Sequence, residues 1–199
     1  MSEVLILDYE TLSNRPYNTA VLSFAAIICD WADVRFDNIE GLRAKAFYQV
    51  FDTLEQLEKL GYESNAETLR WWSEQGESAR KVFTDPNRVS VNEHLPAFTK
   101  YCVDSGLTQK TTTLIRAPHF DFPIIDNIAQ KTGWPIPFNH WKVRDVRSIV
   151  DACCGTDNGY IPGFKEKIAN LGLHEHDARD DCIKDLLITK IAMTGDYDI

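Results

Sequence analysis

Four carboxylates and one histidine stand out by residue type and spacing. The stretch "LILDYET", residues 5–11, ends an apolar run on Asp8 and Glu10, with only Tyr9 between them. Alternate residues of a strand share a face, so both acids point the same way if the run is a strand. Two like charges about 6 Å apart repel by roughly 3 kcal/mol at an effective dielectric near 20. A chain that keeps this repulsion beside its core is equipped to hold a cation there, although a solvated strand end would use the same residues. In "IRAPHFDFPIID", Asp121 follows one expected strand and opens an expected helix, where a carboxylate can also act as a plain N-cap. In "HEHDARDDCIKD", His176 precedes Asp181 by five residues, about 140° around a regular helix. The two cannot share a helical face, so His176 belongs to the loop before the last helix and Asp181 to the helix itself. Asp177, Asp181 and Asp185 follow one another at four-residue steps. Zinc takes three or four convergent ligands, often Cys or several His. An oxygen-rich set suits a hard cation, Mg²⁺ or Mn²⁺, better.

Positioning these groups requires strands that end together and helices that start there. The apolar runs Val4–Leu7, Val21–Cys29 and Ala46–Phe51 read as three strands. Their connections look too short for helices, which predicts an antiparallel meander. A helix is expected near Ala66–Ser73, capped by Asn65 and interrupted at Gly76. Ser90 and Glu93 form a capping-box signature, and Pro96 moves the start of the following helix later. Thr111–Ile115 reads as a strand, and Pro123–Thr132 as a helix with Pro123 in its first turn and Gly133 beyond its end. "HWKVRDV" predicts a short strand and residues 147–154 a helix. "DDCIKDLLITKIAM" predicts a long amphipathic helix that closes the fold. The order gives an α/β class, a mixed and mostly five-stranded sheet flanked by helices.

The 199 residues suit one domain over 1–199, with enough apolar material for a full core. A net charge of −9 argues against broad electrostatic binding to a nucleic-acid backbone. It leaves room for an enzyme that grips a strand end through bound cations. The five cysteines have no metal-like spacing and fit reduced thiols in a cytoplasmic protein. No basic leader with an apolar run opens the chain, and no run is long enough to span a membrane.

Taken in order, the motifs resemble the DEDD 3′–5′ exonucleases of the His-containing subgroup, on an RNase H-like fold. "LILDYET" is similar to the first motif of that family, "HFDFPII" to the second and "HDARDDC" to the third. The order and rough spacing hold across nearly the whole chain. A closer resemblance, carried by "ETLRWWSEQGESAR", "RAPHFDFPI", "VRDVRSIVDA" and "HDARDDCIKDLL", is to the small exonuclease A group of tailed phages and its bacterial relatives. One place departs: many family members carry Asn four residues before the second-motif Asp, and here that residue is Ala117.

The resemblance implies 3′–5′ exonuclease chemistry on single-stranded nucleic acid, with 5′-mononucleotides as products. Asp8, Glu10, Asp121 and Asp181 would hold two divalent cations, Mg²⁺ or Mn²⁺, about 3.5–4 Å apart. His176 would be the general base on the attacking water, a role suited to a side chain that changes charge between pH 5 and 8. Thr11 and Leu12 would contact the terminal nucleotide. In "RWW" one ring fills the core and the other, taken as Trp72, stacks on a base. Arg70, Arg116 and Arg144 are candidate phosphate contacts, for each of which surface solvation is the competing reading. DNA is the expected substrate. An exoribonuclease and a non-catalytic module that holds nucleic-acid ends are the alternatives. A short chain without an added strand-guiding domain leaves room for a homodimer.

Overall fold

The computed structural model describes residues 2–199. Strand β1 (Glu3–Thr11) is followed by β2 (Val21–Asp30), α1 (Ile39–Lys45), β3 (Phe47–Phe51), α2 (Thr53–Glu58), α3 (Ala66–Glu74) and α4 (Glu77–Arg80). Then come β4 (Arg88–Val89), α5 (His94–Asp104), β5 (Thr112–Ile115), α6 (Pro118–Thr132), β6 (Val143–Asp145), α7 (Val146–Cys154), α8 (Phe164–Ile168) and α9 (Ala178–Thr194). The sheet has six strands in the order β4-β3-β2-β1-β5-β6. β1, β2 and β3 are antiparallel neighbours, while β5 and β6 run parallel to β1. The five expected strands are all present, and the sixth, β4, is a two-residue edge pair on β3. It is too short to leave a periodic trace in the sequence.

The alternation of β1 sorts its residues between two apolar layers. Leu5, Leu7 and Tyr9 pack with Phe98 of α5 and Ile124, Ile125 and Ile128 of α6. Val4 and Ile6 pack with Val146 and Val150 of α7 and Ile183, Leu186 and Leu187 of α9. Asp8 and Glu10 continue the even-numbered face, toward α9.

Several elements differ from their sequence expectation. Helix α1 intervenes between β2 and β3, where the connection looked too short; seven residues give two turns without disturbing the antiparallel pairing. Helix α6 begins at Pro118, five residues before the expected Pro123, which lies inside it. Pro118 takes the first-turn position that suits proline, since the N–H it lacks there would have no intrahelical partner. Ser90 caps a short 3-10 turn rather than a capping box, and α5 starts after it at His94. The last helix is not amphipathic. The sheet covers one side and α1 and α7 flank it, so Cys182, Ile183, Leu186, Leu187, Ile188 and Ile191 are buried around most of its circumference. Among the described residues, no helix is long and apolar enough to cross a membrane.

Candidate active site

The site lies where β1 outruns its parallel neighbour. β5 pairs with β1 only as far as Leu7 opposite Ile115, so Asp8 and Glu10 extend past the end of β5. Antiparallel β2 still supports them, with Asp8 opposite Ala25 and Glu10 opposite Ser23. The register shifts between Glu10 and Thr11, which bends the strand end just after the second acid. The chain leaves β5 through Ala117, whose φ of 56° and ψ of 65° are left-handed. That turn is pinned by Asp145, whose Oδ1 accepts the Ala117 N–H at 3.2 Å. Asp145 also caps α7, accepting from Arg147 and Ser148. Helix α6 then starts at once, and its first turn brings Asp121 back beside β1, where the backbone of Tyr9 favours its charged form. Asp121 is therefore a buried first-turn residue and not the N-cap.

From the other side, α9 begins at Asp177, whose side chain caps the helix by accepting from Arg179 N. The loop before it is drawn onto the helix end by two carboxylates. Asp180 accepts from the backbone N–H of His174 at 2.9 Å and pairs with Arg43 at 2.8 Å. Asp181 Oδ2 accepts from the backbone N–H of His176 at 3.2 Å. His176 itself is in a left-handed conformation, φ 61°, held by these contacts. Lys184, one turn on, donates to Asp181 Oδ1 at 2.7 Å and to the carbonyl of His174 at 2.6 Å.

The result is a convergence of titratable groups. Ligand atoms of Glu10, His176 and Asp181 all lie within 4.8 Å of one another. Burial, then the charges of Glu10, Asp121, Asp181 and Asp185, push the Asp8 carboxyl well above the usual carboxylate range. Glu10 is raised by burial and then by Asp181 and Asp121, and Asp121 by burial and Asp185. Asp181 is raised by burial against the opposing pull of Lys184. Asp185, one turn along α9, is pushed up to about 7 by burial although Arg116 stands 3.2 Å away. Each of these carboxyls is hard to ionise without a compensating charge. The donor set fits a divalent cation: carboxylate oxygens on two strand positions and two helix starts, with one imidazole at the edge.

Two clefts open from this cluster. One, about 460 Å³, is lined by Glu10, Thr11, Trp71 and Phe120 among others. The other, about 540 Å³, is lined by Asp8, Arg116, Arg147, Tyr160, His176 and Asp181 among others. Two expected substrate contacts change here. Trp72 is 2% exposed and donates Nε1–H to the carbonyl of Thr11 at 2.9 Å, so it supports the strand end and presents no face for stacking. Trp71 is the exposed ring, 40% accessible, with its centroid 4.7 Å from that of His176. Leu12 is 3% exposed and belongs to the core, out of reach of a base. Thr11 lines the smaller cleft, its hydroxyl donating to Ser13 O at 2.8 Å. Of the expected arginines, Arg116 lines the larger cleft, while Arg144 donates to its own neighbourhood, to the carbonyls of Trp141 and Val143. Arg70 lines neither cleft.

Reading residues by type missed three groups that shape the site. Asp145 and Lys184 carry no motif of their own. His94 is buried behind Tyr9, and its ring bridges two partners: the Tyr9 hydroxyl donates to Nε2, and Nδ1 donates to Gln49 Oε1, both at 2.7 Å. Burial lowers the His94 pKa to about 3, so the ring is neutral. The helical spacing of His94 with Phe98 is the only sequence signal that it faces the core.

Comparison with known proteins bears on the family and the fold. A family described as the 3′-5′ exoribonuclease Rv2179c-like domain matches residues 3–192. The exodeoxyribonuclease of enterobacteria phage T4 is 24% identical over 211 residues, covering 94% of this chain and 88% of its own. Among solved structures, the nuclease domain of 3'hExo, a DEDDh family member bound to rAMP, matches with TM-score 0.65 and 10% identity over 100% of this chain and 94% of that one. E. coli exonuclease I in complex with a dT13 oligonucleotide matches with TM-score 0.62 and 15% identity, over 98% of this chain. The chain spans only 41% of that exonuclease I chain. These neighbours share the RNase H-like fold.

Proposed function

The chain belongs to the 3′-5′ exoribonuclease Rv2179c-like domain family and is a 3′–5′ exonuclease, and we propose that it removes 5′-mononucleotides one at a time from the 3′ end of single-stranded DNA. In this reading residues 1–199 form one exonuclease domain. The observation that carries it is the convergence of Glu10, His176 and Asp181 beside the partly buried Asp8 and the buried Asp121, whose charges repel. The cofactor is a divalent metal, and Asp8, Glu10, Asp121 and Asp181 would hold two ions, Mg²⁺ or Mn²⁺. When bound, such ions supply charge neutralisation at the phosphoryl oxygens and a water of lowered pKa.

The residues of the chain divide the remaining work. Asp8 and Glu10 share a strand face and set the position of the scissile phosphodiester. Asp121, buried in the first turn of α6, fixes the opposite wall. His176 stands at the edge of the carboxylates on a loop held by Asp181, where it can take the proton of the attacking water. It is assigned as a general base and not as a ligand. Thr11 and the exposed Trp71 line the cleft for the terminal nucleoside, Trp71 offering a ring for stacking.

DNA is the proposed substrate because the phage T4 relative, an exodeoxyribonuclease, aligns over 94% of this chain. RNA is the second reading, favoured by the exoribonuclease description of the family. A homodimer that guides the strand belongs to the proposal, with Trp141 and Trp134 as exposed apolar surface. Parallel assays with matched DNA and RNA oligomers decide the sugar. Faster shortening of the RNA would overturn the DNA assignment and leave the exonuclease reading intact.

A further inference from the structure

The larger cleft touches the carboxylate cluster through Asp8 and Asp181, on the side away from Glu10 and Thr11. If the terminal nucleoside sits on the Glu10–Thr11 side, the rest of the strand must leave through this cleft. Its basic side chains are mostly committed. Arg116 pairs with Asp185 at 3.2 Å, donates to Gly159 O at 2.9 Å and lies 4.6 Å over the Tyr160 ring. Lys184 pairs with Asp181, and Lys165 with Glu175. Arg147 is different. Among the described residues its guanidinium has no ion-pair or hydrogen-bond partner, yet its positive charge acts on the buried carboxyls of Asp121 and Asp185.

The chain also fixes where Arg147 can go. Gly159, at φ 73°, packs so closely on its stem that a Cβ there would sit 2.6 Å from Arg147 Cγ and 2.8 Å from its Cβ. Both the conformation and the space require glycine. The loop carrying Gly159 is held by Asp151, which accepts from Gly159 N at 2.8 Å and from the Thr156 hydroxyl at 2.6 Å. The same Gly159 carbonyl receives Arg116. An ordinary solvated arginine needs no such clamp.

We propose that Arg147 binds the phosphodiester one step 5′ of the scissile bond, guiding the departing strand through the cleft between α7 and α8. A planar guanidinium matches a phosphate in geometry and charge, and an unpaired one has no partner to give up on binding. The inference rests on the exonuclease reading and adds the path of the strand to it.

The test uses the full chain and a thymidine pentanucleotide, in two forms: all phosphodiester, or with a neutral methylphosphonate at the second linkage from the 3′ end. The wild type is expected to lose about tenfold in kcat/KM on the methylphosphonate, and Arg147→Ala to lose about tenfold on the ordinary oligomer, mainly through KM. The two losses should not add: the methylphosphonate should cost Arg147→Ala no more than about twofold further. Gly159→Ala, which displaces the Arg147 stem, should raise KM in the same direction, and Lys110→Ala on the far surface should match the wild type. The salt slope of oligomer binding, measured with Ca²⁺ in place of Mg²⁺, should fall by about 1 in Arg147→Ala. Equal methylphosphonate costs in wild type and Arg147→Ala, or an Arg147→Ala enzyme as good as wild type on the ordinary oligomer, would overturn the assignment. A wild type that cuts neither oligomer from its 3′ end would remove the exonuclease reading itself.

Discussion

Asp8 and Glu10 show how one short stretch carries both structure and chemistry. The odd residues of β1 build one core layer and the even residues the other, until the even side changes from Val4 and Ile6 to two acids. This change was legible because strand alternation is a fixed geometric rule. The sequence could not show which residues meet them, since that depends on where β5 stops and how Ala117 turns. Two outcomes follow for single residues. Asp8→Asn removes a charge that burial and four neighbouring acids oppose. Hydrolysis should be lost, the melting temperature without metal should stay equal or rise, and the gain on adding Mn²⁺ should shrink; thermal melts with and without Mn²⁺ measure all but the first. His176→Ala should fail differently. Its rate should fall by roughly 10²–10⁴, as for loss of a general base, while its Mn²⁺-dependent melting gain persists. His119→Ala, exposed and off the cluster, serves as the control within a few-fold of wild type. If His176→Ala loses the metal-dependent gain as fully as Asp8→Asn, the histidine is a ligand.

At the scale of elements, α3 separates two adjacent tryptophans that composition treats alike. Asn65 caps the helix by accepting from Glu67 and Thr68, which fixes its rotation. That rotation buries Trp72 against Phe83 and the Thr11 carbonyl and leaves Trp71 at the cleft. The sequence identified the helix and its cap, but adjacent residues lie about 100° apart, and only tertiary packing decides which ring turns inward. Trp72→Ala is expected to cost about 3–5 kcal/mol of stability, as for other buried large-to-small changes. Trp71→Ala should melt within about 0.5 kcal/mol of wild type and weaken oligomer binding by about 1–3 kcal/mol. Denaturant unfolding and fluorescence anisotropy check the pair, and a reversal of the two effects would place the wrong ring in the cleft. Helix α9 teaches a related lesson. Its motif acids were readable, but its burial on nearly every side was not, because that comes from α1 and α7 flanking it.

The whole molecule couples fold and site through pH. His94 is neutral and buried, with a pKa lowered to about 3 against an ordinary value of 6.5. The unfolded chain binds this proton below pH 6.5 and the native chain does not, so stability falls from pH 6.5 toward 3 by about 1.4 kcal/mol per unit from this group. The carboxylate cluster works in the opposite sense. Asp8, Glu10 and Asp121 are raised, so the native state keeps protons that the unfolded state has released. Their contribution is complete below the ordinary carboxylate range and is lost as pH rises through the raised native values. Without metal, stability should therefore decline toward both ends. On the proposed site, Mn²⁺ is expected to bind the deprotonated cluster and to raise the melting temperature more at pH 8 than at pH 6. In His94→Gln the acid limb between pH 6 and 4 should flatten while absolute stability drops. A Mn²⁺ gain that is larger at pH 6 would contradict the carboxylate assignment.

The central claim, a metal-dependent exonuclease that works from the 3′ end with Asp8 in its cage, is tested most directly by one gel. A single-stranded DNA oligomer labelled at its 5′ end is incubated with the wild type in Mg²⁺, in EDTA, and with Asp8→Asn in Mg²⁺. The account predicts a ladder of progressively shorter labelled strands in the first lane and intact oligomer in the other two. Release of the label as a mononucleotide while long strands remain, or a ladder that persists in EDTA or with Asp8→Asn, would contradict it.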